Sequence, residues 1–463
     1  MKANTLRTDF TKGPLLRQLI VFSLPFMAAN LLQSLYNIID MIVVGQFVGS
    51  IGLSAVSIGG QITMFLTCLC TGFSTGAQIL ISQLAGRHEE KKLSCAIGTI
   101  FTTMLVIGIV ITILGVVCVP LLIRLLNTPA EAASQACTYL YICVGGIIAT
   151  FGYNTVSAIL RGMGDSKRPL LFVAIASVTN LILDILFVAF FSWGAGGAAL
   201  ATIIGQAISF IFALVYLIHR KEAFCFDFQL QSFRIDPTLL KVLIKLGLPM
   251  TLQWTGVAGS FMVISSMVNT YGLAASAIAG IGSKLTSILN IVAGSIQTAC
   301  AGMVGQNISI GENERVKRIV IYGMLVCTVF GLILCGVFLA FPTAVIRIFS
   351  SDADVLALSR LYMNSSVAGF MASFLMAATN GMIQGVGAMT FNFIVSIIDS
   401  VVARIGLSFL LGQVLDFGLA GFWWGGSLAG YITVGAGLVF FCTGRWKHYN
   451  LLHDLDQRKP SPE

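Results

Sequence analysis

The second half of this 463-residue chain repeats the first at a shift of about 222 to 224 residues. Leu24-Pro25 recurs as Leu248-Pro249, and Ser82-Gln83 ahead of a charged turn recurs as Gly305-Gln306 ahead of another. Arg161-Gly162-Met163-Gly164 recurs as Gln384-Gly385-Val386-Gly387. Each copy holds six apolar stretches long enough to cross a bilayer. Six is even, so both copies enter the membrane from the same side. An axis along the membrane normal can then relate two bundles, as in many secondary transporters.

Composition makes the membrane reading firm. Hydrophobic residues are 57% of the chain, charged residues 10%, and mean hydropathy is +0.92. So few charges could not wet the surface of a soluble protein of this size. Spans of roughly 20 apolar residues suit a hydrocarbon core of about 30 Å. They are expected near 16–40, 53–83, 93–119, 133–158, 169–191, 196–218, 241–268, 274–305, 316–341, 358–383, 389–412 and 418–443. The expected fold is therefore all-α and polytopic, with 12 transmembrane helices in two pseudo-symmetric six-helix bundles. The bundles should cover 1–218 and 241–445, with a cytoplasmic linker at 219–240 and a cytoplasmic tail at 446–463.

The remaining charges test this topology separately. Of 27 Lys and Arg, 22 fall on the side holding both termini, and Arg124, Arg347 and Arg360 on the other. That bias places both termini in the cytoplasm of a prokaryotic inner membrane. The net charge of +8 is thus a topology signal and gives no support to nucleic-acid binding. Lys2 to Arg17 lead into an apolar segment too long for a signal h-region, so no cleavable signal is expected. The 11 cysteines form no CxxC pair, the nearest being Cys68-x-Cys70, and suit packing better than metal or redox use. No GxxxxGK[ST] occurs, so an ion gradient or downhill movement must supply the energy. Pro25 and Pro249, at matching places in the copies, remove a backbone hydrogen bond and bend their helices.

Away from the span ends, five charged residues lie within the membrane: Asp40, Asp184, Lys284, Asp399 and Arg404. Such residues are costly in a membrane and mark functional sites by default. Helix 1 aligns Asn30, Gln33, Asn37 and Asp40 on one face, helix 5 aligns Ser177, Asn180 and Asp184, and helix 6 carries Thr202, Gln206 and Ser209. At about 1.5 Å per residue, Asp40, Asp184 and Thr202 reach a similar depth in the outer half of the membrane. Two carboxylates in one desolvated pocket cannot easily both ionise, which suits them to exchange a proton. The same oxygens could hold Na⁺.

Lys284 and Asp399 fall near the midplane and are expected to form a structural ion pair, with Arg404 above them. Helix 4 carries Tyr139, Cys143, Thr150, Asn154, Ser157 and Arg161, which with Tyr36, Gln61 and Met64 could line a cleft for amphipathic ligands. No cofactor is implied beyond H⁺ or Na⁺ as coupling ion, and a monomer is expected. All four histidines, His88, His219, His448 and His453, lie outside the spans, which leaves a membrane-embedded enzyme without metal ligands or a triad base.

These residues resemble the multidrug and toxic compound extrusion (MATE) family of the MOP flippase superfamily. The likeness rests on Leu24-Pro25 followed by Gln33, Tyr36 and Asp40, on Leu160-Arg161-Gly162-Met163-Gly164-Asp165, and on Asn180, Leu183-Asp184 and Gly197-Ala198-Ala199-Leu200-Ala201-Thr202. Val304-Gly305-Gln306-Asn307 extends it into the second half. The resemblance implies a V-shaped antiporter that exports organic cations against inward H⁺ or Na⁺. It also implies that Asp40, Asn180, Asp184 and Thr202 form the cation-coupling site. Substrate contacts would then come from Gln33, Tyr36, Asn37, Gln61, Met64, Tyr139, Asn154, Ser177 and Gln206. The NorM-like branch has acids in its second bundle where this chain has Gly256 and Ser373, so the chain looks like the DinF-like, usually proton-coupled branch. The alternative is a lipid-linked oligosaccharide flippase of the same superfamily, which only Lys284 and Arg404 favour.

Overall fold

The computed structural model describes residues 8–125, 128, 130–449 and 451–452. The first seven residues and, within the expected tail, residues 450 and 453–463 lie outside the described set, His453 among them. Among the described residues all regular structure is helical.

Twelve long helical spans run α1 Leu15–Phe47, α2 Gly49–Gly86, α3 Glu90–Leu125, α4 Ala130–Gly145 with Ile147–Gly162, α5 Lys167–Asp184 running on to Phe190, and α6 Gly194–His219. The second copy supplies α7 Pro237–Asn269, α8 Leu273–Ile308, α9 Asn313–Ala340, α10 Ser359–Gly385, α11 Met389–Ile397 running on to Val414, and α12 Gly418–Cys442. Ten of these are long and apolar enough to cross a membrane, and the two halves of α4, bent by 43°, make an eleventh. The twelfth, α7, has 33 residues and carries Lys241 and Lys245 in its first turns.

Several helices outrun the expected spans. The chain leaves α1 only at Gly49, whose φ of +78° suits glycine. Asp40 therefore sits about two turns inside α1, and not at its end. Backbone breaks recur between the copies. Gly49 and Gly272, Gly164 and Gly387, Ser192 and Asp416, and Gly194 and Gly418 all take positive φ. These pairs show a shift of 223 from the start of α8 to the end of α10 and of 224 beyond α11, the shift that also relates Leu24-Pro25 to Leu248-Pro249. The extra residue has a structural seat. Both α5 and α11 end in a π-helical turn, Ile185–Phe190 and Leu410–Val414, but α11 holds a second one at Ile398–Ile405. A π turn, closed i to i+5, absorbs an added residue without ending the helix.

The chain forms two compact units. The first contains Leu24–Thr251 and the second contains Phe10–Ser23 and the residues from Leu252. Both α1 and α7 contribute to each unit.

In the first unit α5 and α6 pack antiparallel through small residues. Ser209 donates to the Phe172 carbonyl at 2.8 Å, a Cβ on Gly205 would lie 2.9 Å from the Ala176 carbonyl, and Asn180 donates to Thr202 at 3.3 Å. Small residues allow such close approach in membranes. In the second unit Ser408 donates to the Phe422 carbonyl at 3.1 Å, and Thr433 donates to Asp399 at 3.2 Å. The α2–α4 crossing is copied in detail. A Cβ on Gly162 would lie 2.7 Å from the Gln78 carbonyl, and one on Gly385 would lie 2.7 Å from the Ala301 carbonyl. The N-terminal segment joins the second unit through Arg315 and Asn307, both of which donate to the Phe10 carbonyl.

Candidate functional site

The first unit brings α1, α5 and α6 together around two buried carboxylates. An apolar cluster of Val43, Val44, Val188, Ala195, Ala198 and Ala199, with Tyr139 and Cys143 from α4, fixes the level. Val43 and Val44 lie one turn beyond Asp40, Val188 lies four residues beyond Asp184, and Ala198 and Ala199 lie one turn before Thr202. Since α6 runs opposite to α1 and α5, Asp40, Asp184 and Thr202 sit on the same side of this dry layer.

Asp184 is wholly buried and neither carboxylate oxygen has a hydrogen-bond partner. Asp40 is 9% exposed, and its Oδ1 is likewise without a partner. Each carboxylate stands within electrostatic reach of the tyrosines or acid beside it: Asp184 feels Asp40, and both Tyr36 and Tyr139 feel Asp40. Asn180 stands beside Asp184, and its Nδ2 donates to Thr202 Oγ1 at 3.3 Å. Among the described residues no Lys or Arg pairs with either acid. A buried carboxylate without donors or a cation is among the costliest arrangements in a protein. The pocket therefore has a standing attraction for a positive charge.

The other residues expected at the site divide. Tyr36 is half-buried between Gln33 and Gln206, and Gln206 Oε1 is buried without a partner. Asn154 gives its amide to the Thr150 carbonyl at 2.8 Å, and Ser177 its hydroxyl to the Val173 carbonyl at 2.9 Å. Both are thus turned back onto their own helices, as buried Asn and Ser in membrane helices often are. Gln33, Asn37, Gln61 and Met64 are exposed, Met64 at 69%. One pairing escaped the residue-by-residue reading: Arg161 Nε donates to Gln78 Oε1 at 3.0 Å. The recurrence of Gly162 at the crossing of these two helices was the available signal.

In the second unit the expected ion pair is partly different. Asp399 accepts from Arg404 Nη2 at 3.2 and 3.3 Å and from Thr433, while Lys284 is exposed and makes no ion pair among the described residues. The correction has a geometric cause. Residues five apart splay by about 140° on an α-helix, but the π turn at Ile398–Ile405 stacks them on one face. Ser373, where the NorM-like branch has an acid, donates to the Gly369 carbonyl at 3.2 Å. At Gly256 a Cβ would lie 3.3 Å from Ile397 Cδ1. Among the described residues no three His, Cys, Asp or Glu gather as a metal cluster.

A duplicated unit of long apolar helices with charged groups buried in its interior defines a polytopic membrane protein. The MatE family model matches residues 25–186 and again 249–410, and the chain belongs to that family. The two matches restate the repeat. The chain is 32% identical to the probable multidrug resistance protein YpnP of Bacillus subtilis, over 96% of this chain and 98% of that one. It is 26% identical to the probable multidrug resistance protein NorM of Thermotoga maritima, over 93% of each. Among solved structures it resembles an outward-facing multidrug resistance MATE transporter of the MOP superfamily with a TM-score of 0.88 at 21% identity, covering 97% of this chain and 99% of that one. It also resembles a MATE protein crystallised with MaD3S, with a TM-score of 0.87 at 21% identity, covering 99% and 100%. At these identities the structural likeness speaks for the fold.

Proposed function

We propose that this protein is a secondary active multidrug exporter that moves amphipathic organic cations out of the cell in exchange for H⁺ or Na⁺. The observation that carries the reading is the pair of buried acids in the first unit, Asp184 with both oxygens unbonded and Asp40 within reach of its charge. Relatives named for multidrug resistance and multidrug export support the cargo class. Asp40, Asp184, Asn180 and Thr202 supply carboxylate, amide and hydroxyl oxygens suited to H⁺ or to a hard cation. Tyr36, Tyr139 and Gln206 would give a cationic drug an aromatic and amide wall.

Exchange follows from competition. A buried carboxylate attracts a cationic drug strongly because the local dielectric screens poorly. Protonating it removes that attraction, so a proton arriving from the acidic outer side expels the drug. The ion and the drug need only bind the two access states with different affinity. Both termini are cytoplasmic on this reading, and the working unit is a monomer. Proteoliposomes loaded with protein should accumulate a fluorescent cation when a proton or sodium gradient is imposed, and lose it with an uncoupler or ionophore. Transport of lipid-linked sugars in preference to cations would overturn the reading and favour the flippase.

A further inference from the structure

The second unit holds a half-open cavity of about 350 Å³ that lies where the repeat places the acidic site of the first. Its walls reproduce that site. Tyr362 stands for Tyr139 and Ser366 for Cys143, and Thr286 stands for Thr63. The local packing agrees, since a Cβ on Gly59 would strike the Tyr139 ring and one on Gly282 would strike Tyr362. The polar centre has changed. Ile264 replaces Asp40, Ser408 replaces Asp184, and at the shift of 224 Arg404 falls at the level of Asn180. Gly426 and Gly430 stand for Thr202 and Gln206, and both line the cavity.

Arg404 is the only charged residue among those lining this cavity. Its guanidinium lies 4.7 Å from the Phe261 ring centre, and Asp399, outside the lining, holds it through Nη2 alone. Arg404 Nε is buried with no acceptor. A guanidinium is a rigid fork matched to a carboxylate, and an unmet buried donor favours any ligand that supplies the acceptor. Ser283, Ser373 and Ser427 also line the cavity, and Phe261, Tyr362 and Trp423 give apolar and aromatic walls. The volume falls in the range of small-molecule pockets.

We propose that the second unit contains a binding site of its own for the carboxylate of an amphipathic organic acid. Arg404 receives the carboxylate, Asp399 and Thr433 position Arg404, and Phe261 and Trp423 hold the apolar body. The cavity thus presents a paired guanidinium with one unmet donor where the first unit presents carboxylates. The proposal stands apart from the assignment of cations to the first unit, since it rests on residues of the second alone.

The test uses the full-length protein purified in detergent and two fluorescent probes, dansylglycine and its methyl ester. The acid should bind saturably and the ester at least tenfold more weakly. Arg404→Gln leaves Asp399 unpaired and could unfold, so the decisive variant is Asp399→Asn with Arg404→Gln, which removes both charges together. It should weaken the acid at least tenfold and leave the ester unchanged. Ser373→Trp, which fills the cavity without touching a charge, should remove both. If the acid fails to bind, or binds as well as its ester, or binds the double variant as tightly as the natural protein, the proposal is wrong.

Discussion

At the level where α1, α5 and α6 present Asp40, Asp184 and Thr202, the matching helices α7, α11 and α12 present Ile264, Ser408 and Gly426. Among the described residues, the first unit buries two acids at this level with no basic partner, whereas the second buries one acid against one base. The acid of the second unit is not the descendant of Asp184. At the shift of 223 Asp399 stands where the first copy has Ala176, about two turns from the level of Asp184. What separates the copies is one inserted residue, taken up by the π turn at Ile398–Ile405. That turn stacks Arg404 on Asp399 and makes a neutral pair from two charges that an α-helix would have splayed. Unpaired charge invites exchange with mobile cations, whereas paired charge fixes helices in place.

The difference is broken most simply at its strongest point. Asp40→Asn is nearly isosteric and should insert and fold normally, yet gradient-driven efflux should fall to the level of empty vesicles. Natural efflux rates from a correctly inserted variant would remove Asp40 from the coupling site. Asp399→Asn should act in the opposite way. Removing one member of a buried pair leaves the other uncompensated, at a cost of about 3–5 kcal/mol. Thermal unfolding in detergent should register that loss while surviving protein still couples transport to a gradient. A stable variant that transports only downhill would move the coupling ion to the second unit.

The shared features of the copies should respond alike. Gly162→Ala and Gly385→Ala each push a Cβ against a backbone carbonyl at 2.7 Å, and each should cost about 1–3 kcal/mol. A large inequality between them in unfolding temperature would show that the copies are not equally packed. Binding of a fluorescent cation should weaken as pH falls, by up to about tenfold per pH unit once one proton competes for the site. A flat profile between pH 5 and 8 would separate cargo from coupling acid.

The smallest effect concerns the turn before α5, where Asp165 accepts from the backbone of Lys167 and Arg168, a cap that the second copy lacks because Ala388 stands there. Burial pushes the Asp165 carboxyl above its ordinary range, against the opposing pull of Arg168 and the two backbone donors. Because the folded state holds this proton more tightly than the unfolded chain, the site's contribution to stability falls as pH rises. Asp165→Ala should cost about 1 kcal/mol and Asp165→Asn close to nothing. Equal losses from both would mean that the charge, and not the cap, is what α5 requires.

The sequence by itself determined the membrane class, the repeat and the long helical spans, because apolar length and a shared register are local properties of the chain. The faces that bring Asn180 to Thr202 and set Asp40 and Asp184 at one level were also legible, since a 3.6-residue period fixes them. Only the tertiary structure decided the rest. Asn154 and Ser177 share the faces read from the sequence, but each satisfies itself on the carbonyl one turn earlier, a choice between partners that periodicity cannot see. Asp399 turned to Arg404 and away from Lys284 because one added residue changed the helical period locally. The cavity of the second unit is lined by Gly426 and Gly430 where the first copy carries Thr202 and Gln206, and empty space becomes visible only when the helices around it are packed.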